Sequence, residues 1–137
     1  MKLKLSSLYL ALICAVLLAS MHFLANTFYF YWTLWWYDVI MHFLAGVTGG
    51  LATYWMLFQS NLFFKSEVSK KMAIGIVLVI MMCVGVAWEV FEYTNGITDS
   101  QEGYALDTFN DLVLDGCGAV FAVLIIWKKR HSSVNSL

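Results

Sequence analysis

The stretch MAIGIVLVIMMCVGVAWEVFEY, residues 72–93, decides the fold. It holds no charged side chain before Glu89, and as a helix it is about 33 Å long, enough to cross a hydrocarbon core of about 30 Å. Three further apolar segments occupy residues of about 5–24, 33–58 and 108–127. The sequence therefore predicts an all-α integral membrane four-helix bundle, with residues 1–137 forming a single transmembrane domain in the lipid bilayer.

The composition excludes several classes of protein. Of the 137 residues, 61% are hydrophobic and 12% are charged, whereas a soluble domain usually carries about 25% charged residues. This much apolar surface excludes intrinsic disorder. Eight Lys and Arg residues against nine Asp and Glu residues give no basic excess, so we expect no nucleic-acid partner.

The basic residues predict the orientation in the membrane. All eight lie before the first span, between the second and third, or after the fourth: Lys2, Lys4, Lys65, Lys70, Lys71, Lys128, Lys129 and Arg130. The positive-inside rule then predicts that both termini are cytoplasmic. The aromatic tract at 28–37 is typical of the opposite, outer interface. A cleaved signal peptide ending near Ala19 and Ser20 is the alternative for the first span, but the apolar run continues to Leu24 and favours an uncleaved anchor.

The acidic residues have the opposite distribution. Five lie in the predicted outer half of the spans: Asp38, Glu89, Glu92, Asp111 and Asp115. Their spacings of three or four residues, with His42 four residues after Asp38, place each set on one face of its helix. A charged group near the membrane centre costs at least about 2.5–3.5 kcal/mol, so we expect these faces to point toward one another.

Carboxylates gathered in this way require either protons or a bound cation. A carboxylate-rich set with one imidazole is typical of metal sites in helix bundles. The sequence therefore predicts a divalent-metal site with His42, Glu89, Asp111 and Asp115 as ligands, and with Asp38 and Glu92 as further candidates. The passive alternative is that Asp38, Glu92 and Asp107 are interfacial or helix-capping residues. His22, in the first span, is expected to be interfacial.

Small residues predict how the spans pack. Gly46 and Gly50 form a G-x-x-x-G pattern after His42, and Gly116 and Gly118 follow the acids of the fourth span. Such patterns allow membrane helices to approach closely, here between the second and fourth spans. The three cysteines, Cys14, Cys83 and Cys117, lie in apolar stretches and are expected to be buried free thiols.

Three motifs, taken in order, resemble a known family. They are YDVIMHFLAG at 37–46, WEVFEY at 88–93 and DTFNDLVLDGCG at 107–118. Together they resemble the YjdF-like family of small bacterial membrane proteins and, more distantly, the VanZ-like proteins, over residues of about 35–122. The resemblance implies a bacterial inner-membrane location and, through the VanZ-like proteins, an envelope function. The chain departs from the VanZ-like pattern at Glu92-Tyr93 and lacks an arginine before the last span, so a role in antibiotic resistance does not carry over.

Three functions remain open from the sequence. In the leading hypothesis the site binds a divalent cation in an envelope or lipid-linked role; if the protein is an enzyme, Glu89 is the general base for attack by a metal-bound water on a lipid phosphate or ester. In the second, the carboxylates carry protons or cations in a transport module, which would require a homo-oligomer to form a pathway. In the third, the acids are a structural polar core and the loop between Asn95 and Tyr104 binds a partner.

Overall fold

A computed structural model describes residues 2–64, 68–96 and 103–134 of the chain. Within these ranges, it describes the side chains between Ser7 and Lys129. Its helices are α1 (Lys2–Phe28), the short α2 (Phe30–Thr33), α3 (Tyr37–Tyr54) with a π-helical continuation (Trp55–Gln59), α4 (Lys70–Asn95) and α5 (Tyr104–Val134). The described residues contain no strand. Lys65, Glu67, Asp99 and Glu102, and most of the loop expected to bind a partner, lie outside the described residues.

Four of these segments are long and apolar enough to cross a membrane: Ser7–Phe28, Tyr37–Gln59, Lys70–Asn95 and Tyr104–Lys129. The all-α four-helix membrane architecture predicted from the sequence is therefore confirmed. Residues 33–36, which open the second apolar segment of the sequence, belong to the end of α2 and to a turn.

Local signals set the ends of the helices. The Ser69 side chain accepts a hydrogen bond from the Met72 backbone N–H at 3.2 Å, and this cap begins α4. Gly96, with φ of 63°, ends α4 in the left-handed conformation that glycine adopts without steric cost. Tyr29 adopts a similar φ of 60° between α1 and α2, so the chain reverses there and turns into α3.

Helix α3 is the centre of the bundle. It packs most extensively against α5 and also contacts α1 and α4, while α5 packs against α4. A Cβ added at Gly118 would lie 2.7 Å from the Val47 backbone nitrogen, and one added at Gly50 would lie 2.9 Å from Ala119 Cα. The backbones of α3 and α5 therefore touch, as the glycine pattern of the second and fourth spans predicted.

The apolar core lies toward one end of the bundle. Its largest fully buried side chains are Tyr54, Leu51, Val77 and Val123. A second, smaller cluster is formed by Ala25, Tyr37 and Met41 at the other end, where α1 meets α3. The polar residues described below occupy that second end, between α3, α4 and α5.

The outer surface of the bundle is apolar, as a bilayer requires. Tyr9, Ile13 and Val16 of α1 are more than half exposed. The expectation of three buried thiols is wrong for two of them: Cys83 and Cys117 are exposed on the helix surface, and Cys14 is half-buried. A thiol is a weakly polar group, so lipid-facing positions suit it as well as buried ones.

Candidate functional site

The polar side chains converge because of where they lie on antiparallel helices. Asp38 and His42 lie in the first two turns of α3, and Asp111 lies about two turns into α5. Glu89 lies within two turns of the end of α4. Since α4 ends where α3 and α5 begin, these residues meet at one end of the bundle.

His42 is the centre of the site. Its Nε2 atom lies 3.7 Å from Asp38 Oδ1 and 3.7 Å from Asp111 Oδ2. Its Nδ1 atom lies 3.4 Å from Asp115 Oδ1. The two ring nitrogens therefore face different partners: Nε2 faces a pair of carboxylates from α3 and α5, and Nδ1 faces one carboxylate deeper in α5.

Asp38, His42 and Asp111 form a group that could hold a metal ion. Their ligand atoms all lie within 4.8 Å of one another. Ligands about 2.1 Å from one ion are roughly 3.0–3.4 Å apart in octahedral or tetrahedral geometry. The two 3.7 Å separations at His42 exceed this range by a few tenths of an ångström, and the two carboxylate oxygens lie within 4.8 Å of each other.

The site is buried on every side but one. His42, Asp111 and Asp115 are 7%, 4% and 5% exposed. By contrast, the Asp38 side chain is 39% exposed. Of these four residues, Asp38 is therefore the one whose side chain reaches the surface of the bundle.

Glu89 is separated from this group by its own hydrogen bonds. It is 4% exposed, and its Oε2 atom accepts a hydrogen bond from Thr108 Oγ1 at 2.7 Å. The Tyr104 hydroxyl donates to the Glu89 backbone oxygen at 3.0 Å. These two bonds join the end of α4 to the start of α5.

Glu92 lies at the edge of the site. It is half-buried and lies one turn after Glu89 on the same helix. Its charge interacts with Glu89, His42 and Asp38. Of the six residues that the sequence predicted as ligands, the structure thus brings Asp38, His42 and Asp111 together, places Asp115 on the far side of the imidazole, and leaves Glu89 and Glu92 beside the group.

Tyr31 was not singled out by the sequence, yet it lies close to the site. Its hydroxyl is hydrogen-bonded to His22 Nδ1 at 2.8 Å, and its ring packs edge-on against Tyr37. Burial, and after it the negative charge of Asp38, raises the pKa of Tyr31 above its ordinary value of 10.0. Only the density of aromatic residues at 28–37 could have drawn attention to it. His22 itself is exposed on α1.

Thr108 was also missed as a contact of the site. It lies three residues before Asp111, so both side chains share one face of α5. The sequence offered a signal in the D-T pair at 107–108, which is typical of a helix start. In the structure α5 already begins at Tyr104, so Thr108 is free to bind Glu89 of α4 instead.

The charges of the site do not balance within the chain. No Lys or Arg occurs between residues 72 and 127, nor between residues 5 and 64. Among the residues that the structure describes, His42 is therefore the single side chain beside these carboxylates that is able to carry a positive charge. A bound divalent cation would supply what the chain lacks.

Comparison with known proteins gives one match. A family model described as predicted membrane protein (DUF2238) matches residues 1–132. No curated protein and no solved structure matches the chain.

Proposed function

Because the chain belongs to the DUF2238 family of predicted membrane proteins, we propose that it is a multi-pass membrane protein that binds a divalent cation at Asp38, His42 and Asp111. The whole chain forms one transmembrane domain, both termini are cytoplasmic, and the site opens to the outer face of a bacterial inner membrane. The resemblance of three motifs to the YjdF-like family supports the inner-membrane location. The placement of all eight basic residues at the other ends of the spans supports the orientation.

The observation that carries the proposal is the group of three ligand atoms within 4.8 Å, two of them on nearly buried side chains. A buried carboxylate without a compensating charge is costly. One imidazole and two carboxylates suit Mg²⁺, Mn²⁺, Fe²⁺ or Zn²⁺. Asp38 comes from the exposed side, so the open coordination positions would face the outer opening.

The reaction that fits such a site is attack by a metal-bound water on a lipid phosphate or ester. A bound divalent cation lowers the pKa of a coordinated water and polarises a phosphate or ester oxygen. Asp38, His42 and Asp111 would hold the ion, and the opening at Asp38 would admit a headgroup while its acyl chains stay in the bilayer. Glu89, buried beside Asp111 and held by Thr108, is the candidate proton acceptor.

The interior of the bundle favours this proposal over transport by a single chain. Below Asp115 the buried core is formed by apolar side chains such as Val47, Leu51, Val77 and Val123. An ion moving past these residues would lose its hydration and would meet buried side-chain oxygens only further along, at Thr53 and Gln59. Transport would therefore require a homo-oligomer with a pathway between chains, and its signature would be a pH-dependent ion flux into liposomes that is lost on Asp111→Asn.

The test is metal binding by the full chain, purified in detergent. We expect about one divalent ion per chain by elemental analysis. Mn²⁺ at a hundredfold excess over its dissociation constant should raise the stability by about 2.7 kcal/mol. His42→Ala and Asp111→Asn should abolish this gain, whereas His22→Ala, which removes an exposed histidine of α1, should keep it. An equal gain in all variants, or none in the wild type, would refute the proposal.

If the acids instead formed only a structural polar core, Glu89→Gln and Asp115→Asn would change the stability equally with and without Mn²⁺. Measuring each variant in both conditions separates this third function from metal binding.

A further inference from the structure

We infer that Asp115 is not a metal ligand but a positioning residue, which orients His42 toward the ion, and that Gly85 of α4 keeps the Asp115 carboxylate in place. This inference rests on the proposed function, because it assigns roles around the same ion. It also replaces the sequence-based expectation that Asp115 binds the metal directly.

The geometry of the imidazole determines which ring nitrogen is able to bind the ion. A neutral histidine carries one N–H and one lone pair on its two ring nitrogens. His42 Nε2 faces Asp38 and Asp111, so the lone pair must be there for all three to share an ion. The proton then lies on Nδ1, and the acceptor 3.4 Å from Nδ1 is Asp115 Oδ1.

Burial of both side chains supports the pairing of His42 with Asp115. The His42 and Asp115 side chains are 9% and 8% exposed, so water cannot readily replace Asp115 as the acceptor of the Nδ1 proton. A histidine ligand that gives its other N–H to a carboxylate is fixed in tautomer and in ring orientation, and the carboxylate also makes it a stronger ligand.

Two glycines of neighbouring helices, Gly85 and Gly46, leave the space that Asp115 occupies. A Cβ added at Gly85 would lie 2.9 Å from Asp115 Oδ2 and 2.8 Å from Leu112 Cδ2. On the opposite side, a Cβ at Gly46 of α3 would overlap the Asp115 backbone carbonyl. Asp115 therefore lies between two glycines of neighbouring helices, and any side chain at Gly85 would displace its carboxylate.

The experiment measures binding of Co²⁺ to the full chain by its visible absorption, which reports the ligands of the ion. Removal of a carboxylate that orients a histidine ligand typically weakens metal binding about 10–100-fold. We expect that loss of affinity for Asp115→Ala. At saturating Co²⁺ this variant should show the wild-type absorption spectrum, because the ligands of the ion are unchanged. Asp115→Asn keeps an acceptor oxygen and should restore part of the affinity.

Gly85→Ala tests the close contact between Gly85 and the Asp115 carboxylate. It should weaken Co²⁺ binding to a similar degree, and in the double variant with Asp115→Ala it should add no further loss, since its effect passes through the carboxylate. The matched control is Gly75→Ala on the same helix, where an added Cβ meets nothing within 4 Å. This control should bind Co²⁺ as the wild type does.

The outcomes distinguish the proposed metal site from the positioning role of Asp115. Absence of Co²⁺ binding in the wild type would refute the proposed function. Wild-type binding with unchanged affinity in Asp115→Ala and Asp115→Asn would leave the metal site standing and overturn the positioning role. A changed Co²⁺ spectrum at saturation in both Asp115 variants would show that Asp115 is itself a ligand. Additive losses from Gly85→Ala and Asp115→Ala would refute the role of Gly85.

Discussion

Substitution of Gly118 by alanine tests the contact that assembles the site. Gly118 lies on α5, one turn below the acidic residues, and faces the backbone of α3. An added Cβ would lie 2.7 Å from the Val47 nitrogen and 3.0 Å from the Gly46 carbonyl carbon, and it would meet the Phe43 backbone oxygen as well. These neighbours are backbone atoms of a helix, so they cannot rotate away as a flexible side chain would.

The size of the effect follows from these distances. Ordinary Cβ contacts begin at 3.4 Å, so α3 and α5 must separate by at least about 0.7 Å. Overpacking of a close-packed interface costs about 1–3 kcal/mol. Alanine also gains about 1 kcal/mol over glycine in helix propensity. Gly75→Ala gains the same propensity without the overlap, because nothing lies within 4 Å of its Cβ. Gly118→Ala should therefore be less stable than Gly75→Ala by about 1–3 kcal/mol.

The assay is thermal unfolding of both variants in the same detergent, followed by helical circular dichroism. At this chain length 1 kcal/mol corresponds to about 3 °C or more in Tm. The midpoint of Gly118→Ala should lie at least that far below that of Gly75→Ala, and its Mn²⁺ stabilisation should fall, because Asp111 moves away from His42 with α5. Equal midpoints and equal Mn²⁺ stabilisation would refute the backbone contact and the dependence of the site on it.

Three further predictions follow from the described contacts. Because the pKa of Tyr31 is raised in the folded chain, its hydroxyl stays protonated there at a pH at which the unfolded chain ionises, near pH 10. The free energy of unfolding should therefore fall as the pH rises above about 10, and it should fall less in Tyr31→Phe. Thermal unfolding measured at each pH tests this. Thr108→Val removes a donor from the buried Glu89 carboxylate and should cost about 1–3 kcal/mol. Thr94→Val, whose exposed hydroxyl bonds only groups of its own helix (the Val90 and Phe91 carbonyls and the Asn95 side chain), should cost much less in a denaturation assay of both variants. Reporter fusions that are active only in the cytoplasm should be active at both termini; activity at one terminus alone would refute the even number of crossings.

The sequence predicted the fold well because the bilayer imposes simple rules. Only helices satisfy their own backbone hydrogen bonds in hydrocarbon, so apolar length predicted four of them. The glycine pattern predicted that α3 and α5 approach each other, and the backbone contact at Gly118 confirms it. The short α2 could not be predicted, because its start depends on the left-handed conformation of Tyr29, a residue that rarely adopts it.

The candidate site was predicted in composition but not in arrangement. Spacing placed Asp38 and His42 on one face of α3 and the acids of α5 on another, and the distances at His42 show that these faces meet. Spacing cannot indicate which ring nitrogen faces which carboxylate, because that depends on how far each helix is rotated about its axis. For the same reason Glu89, which shares the depth of Asp111, is bound to Thr108 rather than grouped with His42.

The most direct test of the central claim is the position of the ion itself. Crystals of the full chain grown with Mn²⁺ would locate it by anomalous scattering. We expect one peak at roughly 2.0–2.2 Å from His42 Nε2 and from carboxylate oxygens of Asp38 and Asp111, with the Asp115 carboxylate facing His42 Nδ1. Crystals in which Mn²⁺ binds elsewhere, or in which this site holds no peak at saturating Mn²⁺, would contradict it.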